Sequence, residues 1–164
     1  MLFLTFELGT DRYALDTSDI VEVVARAPLK AIPSTPSWVA GLCDYRGHTV
    51  PVIDLTALAL GHAASDRIST RIVIVRYIGT HTSTGPALSA SATRAHPLLG
   101  LIVEHANRTL RLEPDDFEPS GVDTPDARWL GRVARDADGL VQWVHIAHLL
   151  PPDVHAMLFT EAHA

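Results

Sequence analysis

Asp44, Arg46, His48 and Asp54 stand together in the stretch DYRGHTVPVIDL, residues 44–55, with Cys43 immediately before it. Carboxylates beside an imidazole are the material of general acid–base chemistry, and a thiol near His48 is the material of a nucleophile with its base. A catalytic thiol needs an exposed, electropositive setting that lowers its pKa. Cys43 instead closes the apolar run Trp38-Val39-Ala40-Gly41-Leu42-Cys43, the ordinary setting of a buried structural cysteine. Asp54 precedes TALALG and reads as a helix cap. His145 and His148, three apart, could share a helical face, but neither an HExxH motif nor a Cys/His cluster accompanies them, so no metal is expected. Asp115, Asp116 and Glu118 lie in a proline-bounded acidic turn and read as solvated charge. A G-x-S-x-G elbow, a P-loop and a G-x-G-x-x-G fingerprint are absent. Arg46 remains. It sits beside Gly47 at a bend between two apolar runs, with Asp44 as its only obvious local carboxylate. Its planar fork of donors suits a partner's carboxylate and the centre of an interface.

The elements that must position these residues are short strands. Leu2, Leu4, Phe6 and Leu8 alternate at period two, Gly9-Thr10-Asp11 turns, and Arg12-Tyr13-Ala14-Leu15 returns, which predicts a hairpin with a half-buried first strand. Asp16, Thr17 and Ser18 are cap residues that predict a short helix over 18–22, followed by a strand through Val23-Val24. Pro28, Pro33 and Pro36 break regular structure into a loop. Strands are predicted over 38–43 and 49–55, the second with Pro51 at an edge or bulge. Residues 70–78 read as a central strand and 98–103 as its successor. Between them, 80–97 is rich in small and polar residues and reads as a flexible insertion. A further hairpin is predicted around Asp136-Ala137-Asp138-Gly139, and short helices at the end. Trp38 and Trp143, each in an apolar run, are expected near a central core, at least one of them largely buried.

Many short strands and few helices imply a barrel or sandwich. Ile53-Asp54-Leu55-Thr56-Ala57-Leu58 echoes Val144-His145-Ile146-Ala147-His148-Leu149, which suggests two similar lobes, one in each half of the chain. The composition, 47% apolar and 20% charged over 164 residues, is that of a folded domain. A net charge of −6 with Lys30 as the single lysine argues against nucleic acid as a partner. A single cysteine excludes an intramolecular disulfide, and the apolar start lacks the positive flank of a signal peptide. No apolar run reaches the ~20 residues of a membrane helix. These features suggest a soluble, cytoplasmic, β-rich binding module.

FLTFELGTDRYALD, IVEVV and IPSTPSWVAGLCDYRGHTVPVIDL resemble the first half of the CheW family of bacterial chemotaxis coupling proteins. STRIVIVRYIG, LLGLIVEHANRTLRLEPDDF and VQWVHIAHLL are similar to its second half, in the same order. The resemblance implies one mainly β domain over 1–164, made of two intertwined five-stranded SH3-like barrels around a shared core. It implies no catalytic activity and no cofactor. It also implies an adaptor in a chemosensory array, joining the cytoplasmic tips of methyl-accepting chemoreceptors to the regulatory domain of a CheA-type histidine kinase. Carried over by position, Gly41 matches the family glycine before the turn, associated with kinase binding, Arg46 and Gly47 match the R-G pair of the turn, with Arg46 as the contact arginine, and Ile20 and Glu22 match positions that affect kinase or receptor binding. Asp44-Tyr45 departs from the Asn-Leu of many members, His145 replaces an asparagine or aspartate, and 80–97 is long. The D-Y-R-G form and ALALG are similar to adaptors of alternative arrays of the Wsp type. Two other classes are a kinase-regulatory module without receptor contact and, on Cys43 alone, a small hydrolase.

Overall fold

The computed structural model describes residues 1–78 and 97–159. Among the described residues, the strands are β1 Leu2–Leu8, β2 Asp11–Asp16, β3 Ile20–Ala25, β4 Val39–Tyr45, β5 His48–Asp54, β6 Arg71–Arg76, β7 Leu98–Arg111, β8 Leu130–Asp136 and β9 Gly139–Val144. Two short helices accompany them, α1 Leu55–Leu60 and α2 Pro152–Leu158. Apart from Pro97, the insertion expected at 80–97 lies outside the described residues.

β7 organises the molecule. Its first half pairs with β6 from Leu98 to Val103 and, in parallel, with β5 from Gly100 to Ile102. Its second half pairs with β1 from Glu104 to Arg111. The change of partner falls at His105, which has φ +52°, and opposite a register shift in β1 between Thr5 and Glu7. A bulge of this kind bends a strand and re-aims it. One lobe is therefore β3-β6-β7-β5-β4 and the other β7-β1-β2-β9-β8, five strands each with β7 shared. These are two SH3-like lobes in a mainly β fold. They do not divide the chain into halves as the internal echo suggested. The strands of the first lobe come from residues 20–76 and 98–103, and those of the second from residues 2–16 and 104–144, closed by the parallel pairing of β2 with β9.

Three apolar clusters follow from this arrangement. Cys43, Val50, Val52, Ile72, Ile74 and Ile102 fill the first lobe. Phe3, Ala14, Phe117, Ala134 and Val141 fill the second, where Phe3 meets the edge of half-buried Trp143 at 5.1 Å between ring centroids. The largest cluster lies between the lobes and draws Leu4, Phe6, Val73, Val75, Leu101, Val103, Val144 and Leu149 into one shared core. β6 thus buries both faces, which is why it is apolar from Ile72 to Val75, between its terminal arginines. β1 does the same. Phe3 and Thr5 are buried on the face opposite Leu4 and Phe6, so the strand is not half-buried as its alternation suggested, because the second-lobe core packs on the Phe3 face and the shared core on the other. Trp38 and Trp143 are half-buried; the deeply buried tryptophan is Trp129, 5% exposed, in the shared core.

Local chemistry sets the ends of elements. The expected helix at 18–22 is one 3-10 turn, Thr17–Asp19, in which Asp16 accepts a hydrogen bond from Ser18 N at 3.0 Å, and β3 already starts at Ile20. Pro51 sits in the part of β5 paired on one side only, since pairing with β7 begins at Val52. Asp54 caps α1 as expected. Its Oδ1 accepts from Ala57 N at 3.1 Å and its Oδ2 from Ala64 N at 2.9 Å, while Gly61 at φ +79° ends the helix.

Candidate partner-binding surface

β4 and β5 pair in register through Asp44↔Thr49 and Tyr45↔His48, leaving Arg46-Gly47 as a two-residue turn. Arg46 has φ +50° and Gly47 φ +80°. Positive φ at both central residues is the type I′ pattern, whose twist matches that of the flanking strands. A Cβ added to Gly47 would meet no atom within 4 Å, so glycine is required there for its conformation and not for space. Asp44 steadies the turn by accepting from Gly47 N at 3.1 Å. Asn, Asp or Gly is the ordinary occupant of the first turn position. An arginine there runs against local preference, and departures of that kind cluster at functional sites.

The arginine's carboxylate is Glu22, not the expected Asp44. Nη2 of Arg46 donates to Oε1 and Oε2 of Glu22 at 3.0 and 3.2 Å. Tyr45 donates its hydroxyl to Oε2 of the same carboxylate, and Cζ of Arg46 lies 5.6 Å from the Tyr45 ring centroid. Glu22 reaches this place because β3 alternates. Val24, on its own face, packs against the first-lobe core, while Val21 and Val23 are exposed; a register shift between Ile20 and Glu22 turns Ile20 to the shared core instead. The side chains of Glu22, Tyr45 and Arg46 thus link the edge of β3 to the β4–β5 tip. The hydrogen bond from Tyr45, and then that from Arg46, hold the Glu22 carboxyl below its ordinary pKa. The same bond to Glu22 pushes the Tyr45 phenol up, so it stays a donor at neutral pH. The Arg46 side chain is 72% exposed, and among the described residues its Nε and Nη1 have no hydrogen-bond partner. The arrangement offers an oriented guanidinium with free donors to a carboxylate from outside.

The other residues expected at the site stand apart from this trio. Gly41 is buried toward the opposite end of β4, with φ +144°. A Cβ on it would lie 2.5 Å from the carbonyl oxygen of Lys30, whose backbone pairs with Leu42 at 2.9 and 2.7 Å. Gly41 therefore lets the proline-rich loop close on β4. Ile20 turns its side chain toward the core. Cys43 is 6% exposed in the first-lobe cluster, and burial pushes its thiol up, opposite to what a nucleophile needs. His145 is half-buried against Trp143, with ring centroids 5.1 Å apart, and His148 is exposed. Among the described residues no group of three or more His, Cys, Asp or Glu side chains converges on a metal position. None of their helices is long and apolar enough to cross a membrane. The reading from sequence missed the Tyr45–Glu22 bond, whose partners are 23 residues apart and carry no local motif.

Curated relatives match in sequence, and a solved structure matches in fold. The chemotaxis protein CheW of Helicobacter pylori is 22% identical over 152 residues, covering 92% of this chain and 82% of that protein. FrzA of Myxococcus xanthus is 34% identical over 53 residues, 32% of this chain and 33% of that protein. The crystal structure of the scaffolding protein TtCheW from Thermoanaerobacter tengcongensis superposes with a TM-score of 0.74 at 24% identity, covering 92% of this chain and 87% of that one. The family model of the CheW-like domain matches residues 2–153, and the chain belongs to that family.

Proposed function

We propose that this chain is a non-catalytic cytoplasmic adaptor that couples the cytoplasmic tip of a chemoreceptor to the regulatory domain of a CheA-type histidine kinase. Membership of the CheW-like domain family and the names of its relatives, chemotaxis and scaffolding proteins, support an adaptor. The observation that carries the reading is Arg46. It occupies a turn position that disfavours it, its side chain is mostly in solvent, and it is already oriented by Glu22. A scaffold without a partner at this tip has no use for that expense of conformation. Glu22 and Gly47 hold the arginine in place, Gly41 and Ile20 support the lobe beneath it, and the outer face of β3 adds Val21 and Val23 as apolar contact area.

Titrating the chain separately with the kinase regulatory domain and with a receptor-tip fragment tests the proposal. Both are expected to bind, and Arg46→Ala is expected to weaken at least one by about thirtyfold, the scale of an interface hot spot. Binding to neither partner would refute the adaptor reading. Binding to the kinase alone would mark a kinase-regulatory module.

A further inference from the structure

We propose that Tyr45 is a positioning residue for partner recognition: its hydroxyl fixes the Glu22 carboxylate, and that carboxylate fixes Arg46 so that an N–H left free by Glu22, on Nε or Nη1, faces an acidic side chain of the partner. The inference rests on the reading of Arg46 as a contact residue and adds the device that orients it.

Three observations carry it. Tyr45 is the last residue of β4, half-buried against the first-lobe core, so its ring is held by packing and its hydroxyl has a defined position. That hydroxyl is spent on Glu22 Oε2, the oxygen that also accepts from Arg46 at 3.2 Å. Finally, the guanidinium lies near the Tyr45 ring, with Cζ 5.6 Å from its centroid, so the aromatic side chain bounds one side of the arginine while Glu22 bounds another. A glutamate on an edge strand without this hydroxyl would be one flexible side chain facing another. An exposed pair of that kind orders neither partner well, because both side chains lose rotamer freedom to meet. Anchoring the carboxylate from a packed ring removes part of that ordering cost before the partner arrives, which is the general benefit of preorganisation. Since Glu22 engages Nη2, the chemistry left on offer is single cationic N–H donors on Nε and Nη1, and the natural complement of either is an Asp or Glu carboxylate.

The test is a double-mutant cycle on the full chain, using the kinase regulatory domain and the receptor-tip fragment as probes. It is read alongside the side-chain NMR signals of the two Arg46 Nη groups. Tyr45→Phe keeps the ring and removes only the hydroxyl. It is expected to leave the melting temperature unchanged, to merge the separate Arg46 Nη signals through faster rotation about Nε–Cζ, and to weaken binding by about five- to tenfold. In an Arg46→Ala background the same change is expected to have no further effect on binding. If Arg46→Ala weakens binding but Tyr45→Phe binds like wild type, the positioning role is wrong while the contact role of Arg46 stands. If Tyr45→Phe costs as much with Arg46 absent as with it present, Tyr45 touches the partner directly and the inference fails. If Arg46→Ala itself binds normally, the contact reading falls, and the inference falls with it.

Discussion

Two arginine–carboxylate pairs, one in each lobe, put the same groups to opposite uses. In the second lobe, Arg12 on β2 reaches the tip of the β8–β9 hairpin and donates two parallel bonds to Asp136, at 2.6 and 2.5 Å, with the side chains only 20% and 17% exposed. Asp136 also accepts from Asp138 N at 2.9 Å and so closes its own turn. In the first lobe the arginine stands on the turn itself, 72% exposed, and a single nitrogen meets Glu22. There the turn is closed by Asp44, which leaves the arginine unneeded for it. Bidentate geometry and burial make the first pair a fastening between strands. Exposure and free donors make the second a displayed group. The lesson is that a salt bridge has to be read by its surroundings: screened surface pairs contribute little to stability, while breaking a largely buried one leaves a charge without a partner.

The comparison breaks if Arg12 can be removed cheaply. Arg12→Ala is expected to cost about 2–3 kcal/mol, since it strips two charge-assisted bonds from a mostly buried carboxylate. Denaturant unfolding checks this, and a loss within error of zero would erase the distinction between the pairs. Gly41→Ala is expected to cost about 2 kcal/mol, because the new methyl collides with the Lys30 carbonyl at a φ that L-residues avoid. Its effect on partner binding should vanish when the assay is run well below the mutant's melting temperature, as fits a supporting residue.

Acid sharpens the comparison further. Arg12 holds the Asp136 carboxyl below its ordinary pKa. That contribution is therefore complete above about pH 4, the value in the unfolded chain, and is lost as pH falls through the depressed folded value. His145 acts earlier. Burial, with the neighbouring His148, pushes its imidazole down, so the folded chain resists a proton that the unfolded chain accepts below about pH 6.5. Stability is expected to be full above that pH, to decline as pH falls from there, and to drop again in the acid range. Arg12→Ala should shrink the second fall and leave the first. Urea midpoints measured across pH for both proteins check the two steps.

Much of this architecture was legible where causes are local. The Asp54 cap, the Gly61 stop, the Arg46-Gly47 turn and the first hairpin all depend on residues within a few positions of one another. What escaped depends on distant partners. Residues 104–111 look too polar for a strand, yet they form the second half of β7 because β1 offers them an edge. The allocation of strands to lobes escaped for the same reason, since the bend at His105 has no signature in the pattern. Arg46 was legible as an exposed turn residue, but Glu22 and Tyr45 were not legible as its partners, because folding brings β3 to the tip across 24 residues of sequence.

Arg46→Asn tests the central claim most directly, because asparagine suits the positive φ of the turn better than arginine does. Paired thermal melts and titrations against the kinase regulatory domain and the receptor tip decide it. The melting temperature is expected to equal or exceed that of the unmodified chain, with binding to at least one partner weakened about thirtyfold. A variant that melts markedly lower would make Arg46 a fastening like Arg12, and one that binds both partners normally would show that the displayed arginine is not the contact.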